Sequence, residues 1–506
     1  MTSRLALAAP SALAAAAADH VARRNGNAVD AAVAAAMVAI NTEPGVCALA
    51  GGAFVTAWPA DELPLTYDGN VTVPGRNGTR PANDGAVAEV ALDYGGGVTT
   101  LVGAGAVATP GTLAALHAVW RDHGRLDWHE VMVPAVAAAR DGFPLSSACR
   151  HYLEYSGDSI FGRASDSRKA LHDDSGALIP TGGRIVVPHL ADSLALIARH
   201  GPDVFYRGEL ADRIVSAVQA DGGTLTMDDL ATYEVVRRSA LTLNLGNWQL
   251  ATNPPPAIGG AMLAATLAEL TTHGIRDWDS AGTSALIDAL EAVLGYRRDV
   301  LDLSRDLGND TRRLLERTGL GAGESSGATV HVSAVDDNGL ACAVTASSGY
   351  GSGDMPPGTG LWLNNCLGEI DLNRHGLDAG SAGTRLMSNM APSCARRGRD
   401  ALSIGSPGAS RITTALVQTL LPALCGNASF RAAIAAPRLH VEYTADGFQL
   451  AAERGVTGIG HRDVRWYDEP SMYFGGVGAA WCVDDALDAA ADPRRTGAVH
   501  LPAAEN

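Results

Sequence analysis

A threonine stands where a glycine-rich stretch meets an apolar run, and that junction is where this chain could make a nucleophile. Gly319-Leu320-Gly321-Ala322-Gly323-Glu324-Ser325-Ser326-Gly327 has no apolar period and too much glycine for a helix or strand, so it reads as a mobile loop. The chain then passes through Ala328 into Thr329-Val330-His331-Val332-Ser333-Ala334-Val335, and Asp337-Asn338-Gly339 separates this run from Ala341-Cys342-Ala343-Val344-Thr345. Asn-Gly tolerates positive φ, so the spacing predicts a β-hairpin whose first strand opens at Thr329. Cutting the Ala328–Thr329 bond would free an α-amine beside the threonine hydroxyl, placing base and nucleophile in one residue. Such an amine has a pKa of about 8, so a useful fraction is unprotonated near neutral pH, whereas a backbone amide is no base. A threonine heading a strand also satisfies plain β propensity, so its neighbours must decide.

Three other groupings bear on chemistry. Gly405-Ser406-Pro407-Gly408-Ala409-Ser410-Arg411 precedes an apolar run to about Leu424. A glycine turn entering a helix can aim backbone N–H groups at an oxyanion, or can simply cap the helix. Gly323-Glu324-Ser325-Ser326-Gly327 satisfies G-x-S-x-G, but has neither the strand before nor the helix after that a nucleophile elbow requires. A serine hydrolase acting through Ser325 is thus a second enzyme reading. Cys366 has no cationic neighbour in the sequence and reads as a buried, inert thiol.

The elements that must position these groups are legible in outline. Ser11 predicts a helix cap with the helix running to Arg24, and Asn27 caps a second to Asn41; both are alanine-rich and must pack closely. A strand is expected from Ala53 to Trp58, helices from about Thr112 to His123 and Asp127 to Arg140, the latter kinked at Pro134, and further helices to about Arg305. With 506 residues, 46% of them hydrophobic, the chain can bury a large core, and a net charge of −17 argues against nucleic-acid or anionic-membrane partners. The seven cysteines are odd in number and scattered, giving neither a disulfide framework nor a zinc site. A reducing, cytoplasmic location is the simplest reading, and no signal peptide or transmembrane helix is read at the N-terminus.

The run Thr329-Val330-His331-Val332-Ser333-Ala334-Val335-Asp336, with Gly339 and Ala343-Val344-Thr345, resembles the start of the small subunit in the gamma-glutamyltransferase family. Asn25-Gly26-Asn27-Ala28-Val29-Asp30, Glu43-Pro44, Gly51-Gly52, Ala436-Pro437-Arg438, Gly475-Gly476-Val477-Gly478 and Ala491-Asp492-Pro493-Arg494 extend the likeness over essentially the whole chain. The resemblance implies an α/β (α+β) fold, the four-layer αββα sandwich of the N-terminal nucleophile hydrolases. It implies a precursor cut between Ala328 and Thr329 into segments 1–328 and 329–506, which stay together as one domain. No metal and no cofactor is implied, and the partner is a small-molecule amide.

Carried over position by position, the resemblance makes Thr329 the nucleophile and gives Gly408 and Ala409 the oxyanion-holding amides. Ser347, Glu369, Ser388, Asn389 and Arg76 become the substrate contacts. There are departures: Val330 replaces a second threonine, Ala409 a glycine, Asn389 a serine, Cys366 a glutamine and Glu369 an aspartate. The family arginine would fall near Thr79, between Arg76 and Arg80. The expected activity is hydrolysis or transfer of γ-glutamyl or related acyl groups. The alternatives are an acylase with a non-glutamyl substrate and, in another class, a processing-dead relative that binds or scaffolds.

Overall fold

The computed structural model describes residues 3–77, 86–93, 97–319, 330–444 and 447–503. Thr329, Ala328, Arg80 and the Ser325 motif lie outside these residues.

Every residue of the Ala28–Thr42 helix is buried, a situation open only to a helix of small and apolar side chains. Asn27 caps it, accepting from the Asp30 amide while Asp30 accepts from that of Asn27, and Ser11 caps the Ala12–Arg23 helix beside it. The helix rests on a seven-stranded antiparallel sheet. Its strands run in the order Ala498–His500, Leu5–Ala9, Val330–Asp336, Ala341–Ser347, Gly52–Trp58, Leu65–Gly69 and Val236–Ser239. The hairpin expected around Asp337-Asn338-Gly339 forms, with Gly339 at φ +79°. Asp336 accepts from the amides of Asn338 and Leu340 within the turn and from Ala28 at the helix start, so one carboxylate ties the hairpin to the layer above.

A second antiparallel sheet faces the first: Ala486–Ala491, Gly478–Val483, Asp400–Gly405, Ser393–Arg397, Trp248–Thr252 and Leu241–Leu245. The Ile258–Thr272, Ser280–Asp299 and Arg411–Leu424 helices pack with its outer face into a separate apolar core. The result is the αββα sandwich. Strands from both sides of position 329 contribute to each sheet. The helices expected near Thr112 and Asp127 are found at Thr112–His123 and Trp128–Asp141, the latter unbroken through Pro134. The strands between Val236 and Thr252 were not expected from the sequence, although Leu241, Leu243 and Leu245 alternate inward. No helix among the described residues is long and apolar enough to cross a membrane.

Between the sheets the side chains are small: Ala6, Ala8, Ala343, Cys394, Ala401 and Ala480 meet there. Trp58 packs into the same cluster, and His331 is a large polar side chain buried between the sheets. Ser333 donates to the Gly478 carbonyl at 3.1 Å, so its oxygen must accept from His331 Nε2 at 2.7 Å, leaving Nδ1 to accept from Thr345 Oγ1 at 2.9 Å. Burial pushes this imidazole down to about 3, so it is neutral and bridges the two sheets as a spacer. It fits because residue 405 has no side chain: a Cβ there would lie 2.3 Å from the ring.

Gly405→Ala should therefore cost about 1–3 kcal/mol by overpacking. Gly295→Ala, in a helix where the new methyl would meet only Phe448 at 3.8 Å, should be neutral or stabilising. Urea midpoints at constant m-value measure both, and equal midpoints for the two variants would contradict the role given to His331.

Candidate active site

The strand that follows Thr329 begins at Val330, paired with Ala346, and the next residue on the partner strand is Ser347, opposite Gly52. Ser347 is buried, and its hydroxyl accepts from the Gly349 amide at 3.0 Å, closing the turn after the strand. Gly349 has φ +65°, and a Cβ there would lie 2.9 Å from the Glu369 carboxylate, so this glycine admits the acid into the wall of the site. Asn365 holds the same corner, accepting from the Tyr350 amide and donating to Thr100 Oγ1 and the Leu101 carbonyl. Asn364 donates to the Ala50 and Ala108 carbonyls and accepts from the Ala108 and Cys366 amides. The asparagine pair is a clamp for the loop that carries Glu369.

The glycine turn expected to hold an oxyanion reaches the site from the opposite sheet. Gly408 has φ +134° and Ala409 φ +51°, which explains why glycine suits position 409 and shows that alanine here accepts a left-handed conformation. Neither amide donates to an acceptor among the described residues. Both lie just before the Arg411–Leu424 helix, where partial positive charge gathers. Because His331 touches Gly405, the head of the strand after Thr329 lies beside the start of this turn.

The turn is seated on Gly475-Gly476-Val477-Gly478. Ser406 accepts from the Gly476 amide at 3.0 Å, and a Cβ at Gly408 would stand 3.0 Å from Gly475. Beneath this seat is a buried ionic cluster. Asp492 accepts from the Val477 amide and pairs with Arg438 at 2.7 Å and Arg494 at 3.1 Å, while Arg494 also pairs with Glu453. Burial alone would raise the Asp492 carboxyl, but the two guanidinium groups outweigh it and hold it below its usual range.

Two depressions meet at Tyr350, Glu369 and Ala409. A cleft of about 270 Å³ continues along Arg297, Asn389, Arg411 and His440. A crevice of about 60 Å³ lies between Tyr152, Tyr155, Arg495 and the Gly408–Ala409 backbone. Glu369 is buried at their junction; burial first, and then Asp371, push its carboxyl up to about 8. Cys366 beside it is buried, its thiol pushed well up by burial and by Glu369, as expected of an inert cysteine.

Of the expected substrate contacts, Arg76 and Ser388 do not line the cleft, whereas Asn389 does. Arg76 is exposed, does not line the cleft, and lies against Gly383. The stretch around it acts through its backbone: Val73 pairs with Thr384 and Gly383, Leu386 donates to Val71, and the Asn70 side chain donates to the Leu386 carbonyl. This tethers the segment leading to Ser388 and Asn389. Ser388 is buried, its hydroxyl without a hydrogen-bond partner among the described residues, and it is not among the residues lining the cleft. Asn389 lines the cleft, but its amide oxygen accepts from Arg297 Nη1 at 3.1 Å. Arg297, Tyr350 and His440 were not singled out as site residues in the sequence.

The Gamma-glutamyltranspeptidase family model matches residues 14–501. The chain belongs to the gamma-glutamyltranspeptidase family. A glutathione hydrolase proenzyme of Pseudomonas aeruginosa is 30% identical over 543 residues, covering 97% of this chain and 93% of its own. An acylase proenzyme, ACY 1, of a Pseudomonas species is 28% identical over 528 residues, covering 96% and 91%. Among solved structures, the cephalosporin acylase of Bacillus halodurans superposes with a TM-score of 0.81 at 21% identity, covering 100% of this chain and 97% of that one. That likeness shows the fold, and it agrees with the αββα sandwich.

In this family member Glu369 should be neutral at pH 7 in the empty cleft and ionise as pH rises through about 8. A carboxyl-labelled glutamate titration followed by NMR, with Glu369→Gln to identify the resonance, should show a midpoint well above those of the exposed glutamates. A midpoint near 4.5, the ordinary value, would show that the cleft arginines rather than burial set its charge.

Proposed function

We propose that this protein is a self-cleaving amide hydrolase that acts on acyl amides bearing a carboxylate, through Thr329 as an N-terminal nucleophile. The observation that carries the reading is the pair of amides at Gly408 and Ala409, without an acceptor among the described residues, in residues that line the crevice opening into the cleft near the strand that continues from Thr329. Family membership supports it.

Processing breaks the Ala328–Thr329 bond, leaving segments 1–328 and 329–506. Their strands are interleaved in both sheets, which supports the two pieces remaining together. Thr329 Oγ then attacks the substrate carbonyl as its own α-amine takes the hydroxyl proton. The tetrahedral oxyanion is held by the Gly408 and Ala409 amides, preorganised by their seat and by the helix behind them. Collapse expels the amine, which receives the proton from the Thr329 ammonium. Water, deprotonated by the same amine, then releases the acid and restores the hydroxyl. Cytoplasmic residence, read from the scattered cysteines, belongs to the proposal.

Within this activity the acylase reading is favoured over γ-glutamyl transfer. A γ-glutamyl group brings an ammonium, and Glu369, the acid at the junction of the two depressions, is pushed up to about 8 by burial and so is a poor standing partner for it near neutral pH, which leaves Asp371 and Glu442 as the carboxylates nearest to hand along the cleft. An acyl group with a carboxylate and no ammonium meets no such cost.

Purified protein should run as two pieces on a denaturing gel, with Thr329 as a new N-terminus, while Thr329→Ala stays whole and inactive. The rate should rise with pH through about 8 or below, as the amine loses its proton, and acetylation of that amine in cut protein should stop turnover. Glutaryl amides should be turned over faster than glutathione at pH 7. An intact but active wild type would sink the mechanism, and faster turnover of glutathione would restore a γ-glutamyl preference.

A further inference from the structure

Arg76 does not line the cleft, which holds an arginine from a different element. Arg297 is in the last turn of the Ser280–Asp299 helix, is 8% exposed, and lines the same cleft as Glu369 and Ala409. Its Nε donates to Asp302 Oδ1 at 3.1 Å and its Nη1 to Asn389 Oδ1 at 3.1 Å. Two acceptors on different nitrogens fix the plane of the guanidinium, and Nη2 makes no hydrogen bond among the described residues.

The other cleft cations are engaged differently. Arg298 pairs with its exposed neighbour Asp299 and lies over the Tyr443 ring at 4.3 Å. Arg374 is 54% exposed in its side chain and stands 3.9 Å from Asp302. Arg411 donates to the Tyr473 carbonyl and lies over that ring at 4.8 Å. An exposed cation gains little from an anion, whereas a buried, pre-aligned fork binds a carboxylate strongly and with defined geometry.

Asn389 then has a different role from the one its position suggested. With its oxygen taken by Arg297, it is a positioning residue that sets the angle of the fork.

We propose that Arg297, held by Asp302 and Asn389, anchors the carboxylate of the acyl group, so that the preferred ligands are dicarboxylic acids and their monoamides. This rests on the cleft being the acyl site of the hydrolase proposed above. Arg297 is buried, so binding should weaken with salt less than it would at an exposed cation.

The test measures glutarate and glutaramide binding to the purified full-length protein by calorimetry. Wild type should bind glutarate and not the uncharged diamide. Arg297→Met should weaken glutarate binding by about ten-fold or more, with Arg297→Lys recovering part of the loss and Asn389→Ala losing several-fold. Because Arg297→Met strands a buried carboxylate, the double variant Arg297→Met with Asp302→Asn controls for loss of the fold, and it too should fail to bind. Unchanged glutarate affinity in the folded double variant, or no glutarate binding by wild type at millimolar concentration, would overturn the anchor. The two readings fail separately. Glutarate bound through Arg297 by a protein that neither cuts itself nor hydrolyses amides supports the anchor and sinks the hydrolase, whereas an active enzyme whose KM for glutaryl amides ignores Arg297→Met overturns the anchor alone.

Discussion

Four charged side chains with almost no exposure, Arg438, Glu453, Asp492 and Arg494, hold this structure's chemistry in place. Taking such ions out of water is expensive, and the cluster persists because each charge is both paired and hydrogen-bonded. What it secures is position. Asp492 fixes Val477, the glycines around Val477 seat Ser406 and Gly408, and the amides at 408 and 409 are aimed by that seat. The three stretches carrying Arg438, the 475–478 glycines and Asp492 are distant in sequence and meet at one point.

A second constraint is thickness. Near the site the sheets approach mainly through small side chains, and one neutral histidine sets their spacing where the site begins. Close packing transmits small displacements, so the distance between the Val330 strand and the oxyanion turn is determined by the His331 ring and the missing side chain at 405. Glycine at 349 plays the same part laterally, letting the Glu369 carboxyl lie against backbone.

Much of this was legible where the determinants are local. The Ser11 and Asn27 caps, the Asn338-Gly339 turn and the glycine entry to the Arg411–Leu424 helix each depend on a few neighbouring residues and fall where the sequence places them. Arg297 was not legible as a cleft residue: Asp302, its near partner, is only five positions on, but Asn389, which turns the guanidinium toward the cleft wall, is ninety-two positions away. Arg76 shows the converse. Resemblance supplied a position in the chain, but the direction of a side chain depends on what its backbone pairs with, and here the backbone at Arg76 is bonded to Thr226 and Asp229 while the residues before it are bonded to 383–386. The strands from Val236 to Thr252 carried an inward alternation of leucines that was readable but short, amid stretches dominated by helices. Thr329, on which the chemistry turns, lies outside the described residues, so its role rests on the strand it precedes and the turn that strand meets.

The interleaving of strands has a consequence for the life of the molecule. Neither residues 1–328 nor residues 329–506 owns either of the two large sheets whole, since Leu5–Ala9 lies between Ala498–His500 and Val330–Asp336, and Ser393–Arg397 lies between Asp400–Gly405 and Trp248–Thr252. The uncut chain can therefore reach this topology by a unimolecular route, whereas severed pieces would have to find each other in solution, at a rate that depends on concentration. A cut before Thr329 would erase the instructions for refolding. From then on the molecule would endure by the slowness of its unfolding rather than by return to the native state, like an arch whose centring has been taken away.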